Sequence, residues 1–355
     1  MRLLLIIAEL GYGGAERIVA QLAMDATGRG DQVAVASAGG PLTRQLDRAG
    51  IRHHQVALRS RSALATLAGA GQLVGVLRGF RPHVVHAHNV RATAAASLAR
   101  HALHRRPALL TTLHGVAPGD YRAAARTLRL AGGTVVACAP AVGRSLLAAG
   151  FPARRLSVVN NGAALEPAPA HEQAALRAQL GITDRPLVVG FGRLVAQKSW
   201  ATLVEAAMEI RRADIVVAGD GPLRAELEAA GGGRVRFAGV VENPAALLGL
   251  ASCVVSTSVW EGLPLGLLEA LSLGLPVVAT AVDGVRDVVP PESAILVPAG
   301  DPAAVAAAVN RVIEEPRLAE QLSRAARQAT AAFQPAAMLA SYRVHYAAAQ
   351  PSWSR

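Results

Sequence analysis

Lysine occurs once. Among the 36 basic residues of this 355-residue chain, Lys198 stands alone and Arg fills every other position, so residue 198 calls for a compact ammonium where a planar guanidinium served elsewhere. Aromatics are nearly as scarce, 3% against 52% apolar residues, and the cores must therefore be built from Ala, Val and Leu. Two cysteines, Cys138 and Cys253, lie far apart in apolar strand-like runs. That excludes a disulfide framework and suits buried thiols in a reducing cytoplasm. No apolar run reaches the ~20 residues of a membrane span. The opening MRLLLIIAEL, with Glu9 and glycines after it, reads as a first buried strand rather than a signal peptide. Acidic residues are rare in one half only. Residues 1–165 carry 20 Arg and 6 Asp or Glu, a net +14, whereas residues 166–355 carry 15 Arg, one Lys and 19 Asp or Glu, a net −3. The first half should therefore face something anionic. The arginines are not interleaved with aromatics and no nucleic-acid-binding motif is present, which leaves an anionic membrane surface or a phosphate-bearing ligand.

What is present is a long alternation. Apolar strand-like runs at 3–8, 32–37, 83–87, 108–112 and 134–138 are separated by helical stretches at about 14–28, 62–79, 91–104, 120–131 and 140–149. Residues 166–173, EPAPAHEQ, read as a linker. A second series follows, with strands at 187–191, 214–218, 234–237, 253–257, 276–279 and 294–297. Alternation of this kind predicts an α/β fold with two doubly wound, Rossmann-like parallel-sheet domains, whose ligands belong at the carboxyl edges of the strands. The boundaries fall at 1–165 and 166–332.

The stretch 253–287 carries the strongest signal. A buried strand ends in Ser256-Thr257-Ser258 and turns through Trp260-Glu261-Gly262-Leu263-Pro264 into a helix ending near Gly274. With Pro264 in the first turn, the helix start at 263–267 offers free N–H groups and the positive dipole end to an anion. Glu261 lies just before that anion site and Glu269 eight residues on, up to ~12 Å away at ~1.5 Å per helical residue. Each carboxylate can accept hydrogen bonds from vicinal hydroxyls. Upstream, Phe191-Gly192-Arg193 and Lys198 follow a strand and enter a helix, so that Arg193 and Lys198 can clamp a diphosphate. Gly219-Asp220-Gly221-Pro222 is another strand-to-helix turn, with Pro222 in a first-turn position and a mainly structural role.

In the first half, Gly11-Tyr12-Gly13-Gly14-Ala15-Glu16 follows the first strand and opens a helix, where glycines let a phosphate approach. A dinucleotide fingerprint is excluded: position 16 is Glu and the second strand ends in Ala36-Ser37 without an acid. His86 and His88 end a strand on one face; with His114 they lack zinc spacing, and no metal is expected. Arg122, Arg126 and Arg129 share one helical face and, with Arg100, Arg105 and Arg106, form a candidate basic apron.

Glu261-x7-Glu269, with Gly262-Leu263-Pro264 between and GLPVVAT after it, resembles the donor-site signature of the family 4 retaining glycosyltransferases. GGAE at 13–16, Gly192-Arg193-Leu194 with Lys198, the G-x-G-P turn at 219–222 and Thr112-Leu113-His114-Gly115 resemble further motifs of that family, and the likeness covers nearly the whole chain. It implies the GT-B architecture, two domains facing each other across a cleft. The last helix, about 333–348 with Phe333, Tyr342 and Tyr346, is implied to return to the first domain together with the rest of 333–355. It further implies a nucleotide-diphosphate sugar as co-substrate and no metal, in keeping with the lack of any Asp-x-Asp. Arg193, Lys198 and Leu265 at the helix start would hold the diphosphate, Glu269 the ribose and Glu261 the sugar hydroxyls. Val240 would lie near the base, His114 over the sugar, and Gly13 and Gly14 would close the pocket. Catalytic roles fall to Glu261, His114, Arg193 and Lys198. Arg122 and Arg126 belong to the acceptor side, with His114, and the acceptor is a hydroxyl-bearing molecule, anionic or lipid-linked. The expected location is cytoplasmic, at the inner face of the membrane through the basic first domain, with no nucleic acid as partner. A nucleotide-sugar 2-epimerase and a non-catalytic scaffold share this architecture and stay open. Ser199 replaces the Gly usual after Lys198, Ala163-Ala164 follow Asn161-Gly162 where an aspartate is usual, and Asp283-Gly284-Val285-Arg286-Asp287 replaces G-G-V-P-E. These departures bear on donor-sugar selectivity.

Overall fold

The structure, a computed structural model, describes residues 1–60 and 62–349. The chain divides into two units, Met1–Asn161 with the chain from Ala336 onward, and Gly162–Pro335. The sequence placed these boundaries at 165 and 333, a few residues later and earlier.

In the first unit the order is β1 (Arg2–Ile6), α1 (Gly14–Gly28), β2 (Gln32–Ser37), α2 (Thr43–Arg48), β3 (Arg52–Gln55), α3 (Ala63–Phe80), β4 (Val84–His88), α4 (Asn89–His101), β5 (Ala108–Leu113), α5 (Tyr121–Ala131), β6 (Thr134–Ala137), α6 (Pro140–Ala148) and β7 (Leu156–Val158). The strands form one parallel sheet, β3-β2-β1-β4-β5-β6-β7. Runs such as Leu3–Ile6 and Val84–His88 are buried throughout, as a sheet covered on both faces requires. Chain order reverses between β1 and β4. Right-handed crossovers therefore put α1 and α2 on one face and α3 to α6 in a row on the other, each packed on the next.

The second unit runs α7 (Ala170–Gln179), β8 (Leu187–Phe191), α8 (Trp200–Ala206), β9 (Asp214–Ala218), α9 (Arg224–Gly231), β10 (Arg236–Gly239), α10 (Pro244–Leu248), β11 (Cys253–Ser256), α11 (Leu265–Ser272), β12 (Val277–Thr280), α12 (Asp283–Arg286), β13 (Ala294–Val297), α13 (Pro302–Glu314) and α14 (Pro316–Ala329). Its parallel sheet is β10-β9-β8-β11-β12-β13, with the reversal between β8 and β11. The last helix, α15 (Pro335–Ala349), packs on the first unit. Its buried Tyr342 and Tyr346 meet Thr112 and His86, each hydroxyl at 2.8 Å.

Three details differ from the sequence reading. The supposed linker turns helical at Ala170, tied down by Asn243 Nδ2 donating to Glu172 at 2.6 Å. Phe333 precedes α15 and belongs to the second unit, where its carbonyl accepts from Ala163 N at 3.0 Å. Pro222 lies before α9 rather than in its first turn, and the Leu223 N–H, donating to Leu194 O at 3.2 Å, holds this turn against the neighbouring loop.

Candidate active site

Both sheets reverse their strand order once, where α/β sheets open a crevice at their carboxyl ends, and many of the residues singled out by sequence lie near those two points, while Val240, Arg122 and Arg126 lie elsewhere. In the second unit the point lies between β8 and β11. After β8 the chain passes through Gly192, whose φ of 152° belongs to glycine and whose Cβ, if present, would lie 3.2 Å from Lys198 Cε. The lysine stem is therefore laid across the end of the strand. A single 3₁₀ turn, Ala196–Lys198, then hands over to α8 through Ser199, which takes the left-handed conformation at φ 46°. Lys198 Nζ donates to Glu261 Oε1 at 2.5 Å, and Ser258 Oγ donates to the same oxygen at 2.6 Å.

Further bonds stitch the two loops together. Gln197 Nε2 donates to Trp260 O at 3.1 Å, Val259 N to Gln197 O at 2.9 Å, and Thr257 Oγ1 to Lys198 O at 2.9 Å. Gly284 at the head of α12 comes so close to the carbonyls of Glu261 and Gly262 that no side chain fits there. Glu261, Gly262 and Leu263 are thus held from both sides. Helix α11 begins at Leu265, with Pro264 as its N-cap residue rather than its first-turn residue. A Cβ on Gly266 would come within 2.9 Å of the Phe191 ring, so only glycine lets the helix tip close onto the end of β8. Leu263, Pro264 and Leu265 are buried, and Glu269 is only 4% exposed inside α11. Arg193 points outward from the β8 loop with its carbonyl fixed by Trp200 Nε1 at 3.0 Å. Val240 follows β10 and is exposed. Lys198, Glu261 and the α11 tip accordingly lie together at the carboxyl edge of β8 and β11, and Arg193, exposed, leaves the same β8 loop.

In the first unit the β1–β4 point holds the Gly11–Gly14 loop and the histidines. Gly13 is the N-cap of α1, and the Glu16 carboxylate folds back over it, so that any phosphate approaching Gly13 and Gly14 must displace that carboxylate. Asn89, at φ 69°, accepts from the His114 backbone N–H at 3.0 Å, and Gly115 at φ 101° turns the chain away. Asn161 Nδ2 donates to His114 Nδ1 at 3.3 Å, which puts the His114 proton on Nε2, facing His88 Nδ1 at 2.9 Å. Both ring nitrogens are therefore occupied within the fold, and burial pushes the His114 pKa down to about 4, a neutral ring at ordinary pH. His86 is buried between Tyr346 and Thr112 and serves the docking of α15. Among the described residues no group of His, Cys, Asp or Glu is arranged to hold a metal ion. Arg122 and Arg126 are exposed on α5.

Sequence reasoning missed Ser258, Gln197, Asn89 and His88 as supports. The hydroxyl run Ser256–Ser258 at a strand end was the visible signal for the first; the bracing of His114 by Asn89 and His88 depends on neighbouring strands and leaves no local pattern.

The chain matches the family model described as Glycosyltransferase Family 4 over residues 12–167, and that described as Glycosyl transferases group 1 over residues 185–315. Among curated relatives, the α-D-kanosaminyltransferase of Streptomyces kanamyceticus is 33% identical over 163 residues, 42% of each chain. The lipopolysaccharide core biosynthesis glycosyltransferase LpsD of Rhizobium meliloti is 34% identical over 176 residues, 48% of this chain and 50% of that protein. The matched region thus spans about half the length of these relatives or less. Anabaena Alr3699/HepE, solved in complex with UDP and glucose, shares the fold with a TM-score of 0.87 at 21% identity, covering 98% of this chain and 99% of that one. With one family model on each unit and both sheets of the GT-B kind, the chain belongs to family 4 of the glycosyltransferases.

Proposed function

We propose that this protein is a metal-independent, retaining glycosyltransferase that moves a sugar from a nucleotide-diphosphate sugar to a hydroxyl of a lipid-linked or glycan acceptor. The observation that carries the reading is the pairing of Lys198 with Glu261 beside the α11 tip at the β8–β11 reversal, on the loop that also carries exposed Arg193. Without ligand, Lys198 and Glu261 neutralise each other at 2.5 Å. A diphosphate supplies Lys198 with a stronger anionic partner, and the freed Glu261 then accepts hydrogen bonds from the donor sugar. Arg193 and the α11 N–H groups share the phosphate charge and stabilise it further as the glycosidic bond breaks, which is where binding accelerates chemistry. Glu269 binds the ribose. His114, neutral and with both nitrogens engaged, shapes the pocket rather than moving a proton. The acceptor's proton passes to the departing β-phosphate oxygen on the same face, which gives retention without a covalent carboxylate adduct.

HepE has also been solved in complex with UDP-glucose, so that donor is the first to test, against GDP, ADP and TDP sugars in a thermal-shift screen, where a ligand at 100 times its Kd adds about 2.7 kcal/mol. Lys198→Ala and Glu269→Ala should each lower transfer by about two orders of magnitude or more with the melting temperature kept. EDTA should leave the rate unchanged. Near-normal turnover in both variants would refute the site, and donor isomerisation without acceptor would make the protein an epimerase instead.

A further inference from the structure

The first unit holds a cavity that the proposed chemistry does not use. Its volume is about 410 Å³, inside the ~300–1,000 Å³ range of small-ligand sites, and it lies beyond the carboxyl ends of β2 and β3. Small side chains line it from three elements: Ala38 after β2, Ala57 after β3 and Ala65 on α3. Around them stand the hydrogen-bonding side chains of Gln55, Ser60 and Gln72. The frame is tied down by the fold. Gln72 Oε1 accepts from Ala57 N at 2.8 Å, and Arg91 Nη1 donates to the carbonyls of Leu58 and Arg59 at 3.1 and 2.8 Å. The first of these bonds uses the Gln72 oxygen and turns its NH2 donors toward other partners.

Charge decides the class of ligand. Residues 1–165 carry a net +14, yet among the described residues lining the cavity Arg59 is the one charged group, and Glu9 pairs with it at 2.9 Å. The start of α3 is capped from within, Ser62 Oγ accepting from Ala65 N at 3.1 Å. A phosphate would meet a cation already paired and a helix end already capped. Two amides and a hydroxyl, each both donor and acceptor, around methyl groups that take C–H faces fit an uncharged sugar ring instead. Position says which ring. In the order β3-β2-β1-β4, β3 lies two strands, ~10 Å, from β1, whose carboxyl end leads into the Gly11–Gly14 loop, and the Glu9–Arg59 pair joins the loops after β1 and β3. That interval is a reach that linked sugar rings cover.

We propose that this cavity is a subsite for an uncharged, non-reacting sugar ring of the acceptor, which makes the acceptor an oligosaccharide. The proposal rests on the reading of the protein as a sugar transferase whose acceptor lies on the first unit.

The full chain, without nucleotide, is mixed with methyl α-glucoside, methyl α-mannoside, maltose and lactose, and binding is read by saturation-transfer NMR. At least one of these sugars is expected to give a signal that Ala65→Leu, which fills the cavity, abolishes. Gln72→Glu keeps the acceptor for Ala57 N–H and removes the donors, so it should weaken the same binding about three- to tenfold. Both variants should melt as the parent does, because Ala65 is only partly buried and Gln72→Glu spares the bond that frames the loop. Absence of any sugar signal, a signal that survives Ala65→Leu, or displacement of the sugar by inorganic phosphate overturns the proposal. A parallel thermal shift with UDP-glucose separates the two readings. A donor shift with no sugar signal removes the subsite and leaves the proposed transfer standing, whereas a sugar signal without a shift from any nucleotide sugar removes the transfer reading while the cavity keeps its ligand.

Discussion

Ser199 holds a left-handed backbone, φ 46°, between the turn that carries Lys198 and the start of α8. A residue with a Cβ pays about 1 kcal/mol there relative to glycine. The Ser199 hydroxyl recovers part of this through Thr202 Oγ1 at 3.1 Å. Ser199→Gly is therefore expected to raise the melting temperature of the second unit by about 1–3 °C, read by calorimetry. A lower melting temperature would mean that the hydroxyl bond outweighs the strain. The lone lysine was legible from composition alone, but its partner was not. Both Glu261 and Lys198 stood out as ligand-binding residues, and neither signal says that they meet at 2.5 Å, because 63 residues separate them in the chain.

Elements with a periodic apolar pattern were legible nearly to the residue: β2 at 32–37, β8 at 187–191 and β9 at 214–218 fall where the sequence put them. Those that escaped have little apolar signal. Strand β3, Arg52-His53-His54-Gln55, is an edge strand recruited by pairing with β2, and α7 has no fully buried side chain, only partly buried ones such as Leu176. The same limit applies to α11. Its existence was clear, while the contact that aims it, Gly266 against Phe191, belongs to tertiary packing. Gly266→Ala should push the helix tip off β8. The expected cost is about 1–3 kcal/mol of stability, with a rise in KM for the donor larger than any fall in kcat. Pairing it with Phe191→Leu, which removes the obstructing ring edge, should restore donor affinity to a double variant that binds better than Gly266→Ala alone. Additive losses would show that the contact does not position the helix.

At the scale of the whole chain, the two units differ in their titratable interiors. The first buries His86 and His88 and partly buries His114, all held below the ordinary histidine pKa chiefly by burial, and His114 lies at about 4. The second unit contains only His171, which is exposed. A histidine with a lowered folded pKa binds its proton better when unfolded, so it leaves stability untouched above about pH 6.5 and erodes it as the pH falls from there through the folded value. For His114 alone the loss is about 2 kcal/mol at pH 5. His86 adds to it, because protonation would disturb its bonds to Tyr346 and Thr112, the anchor of α15. Amide exchange read on separate peptides distinguishes the units. Between pH 7 and pH 5, after correction for the intrinsic rate, protection of β4 and β5 should fall by at least about tenfold, while β8 and β11 keep theirs. Tyr346→Phe should lower protection in the first unit at pH 7 already and leave the second unchanged. Equal losses in both units, or none in β4 and β5, would show that these histidines are not what makes the first unit acid-sensitive.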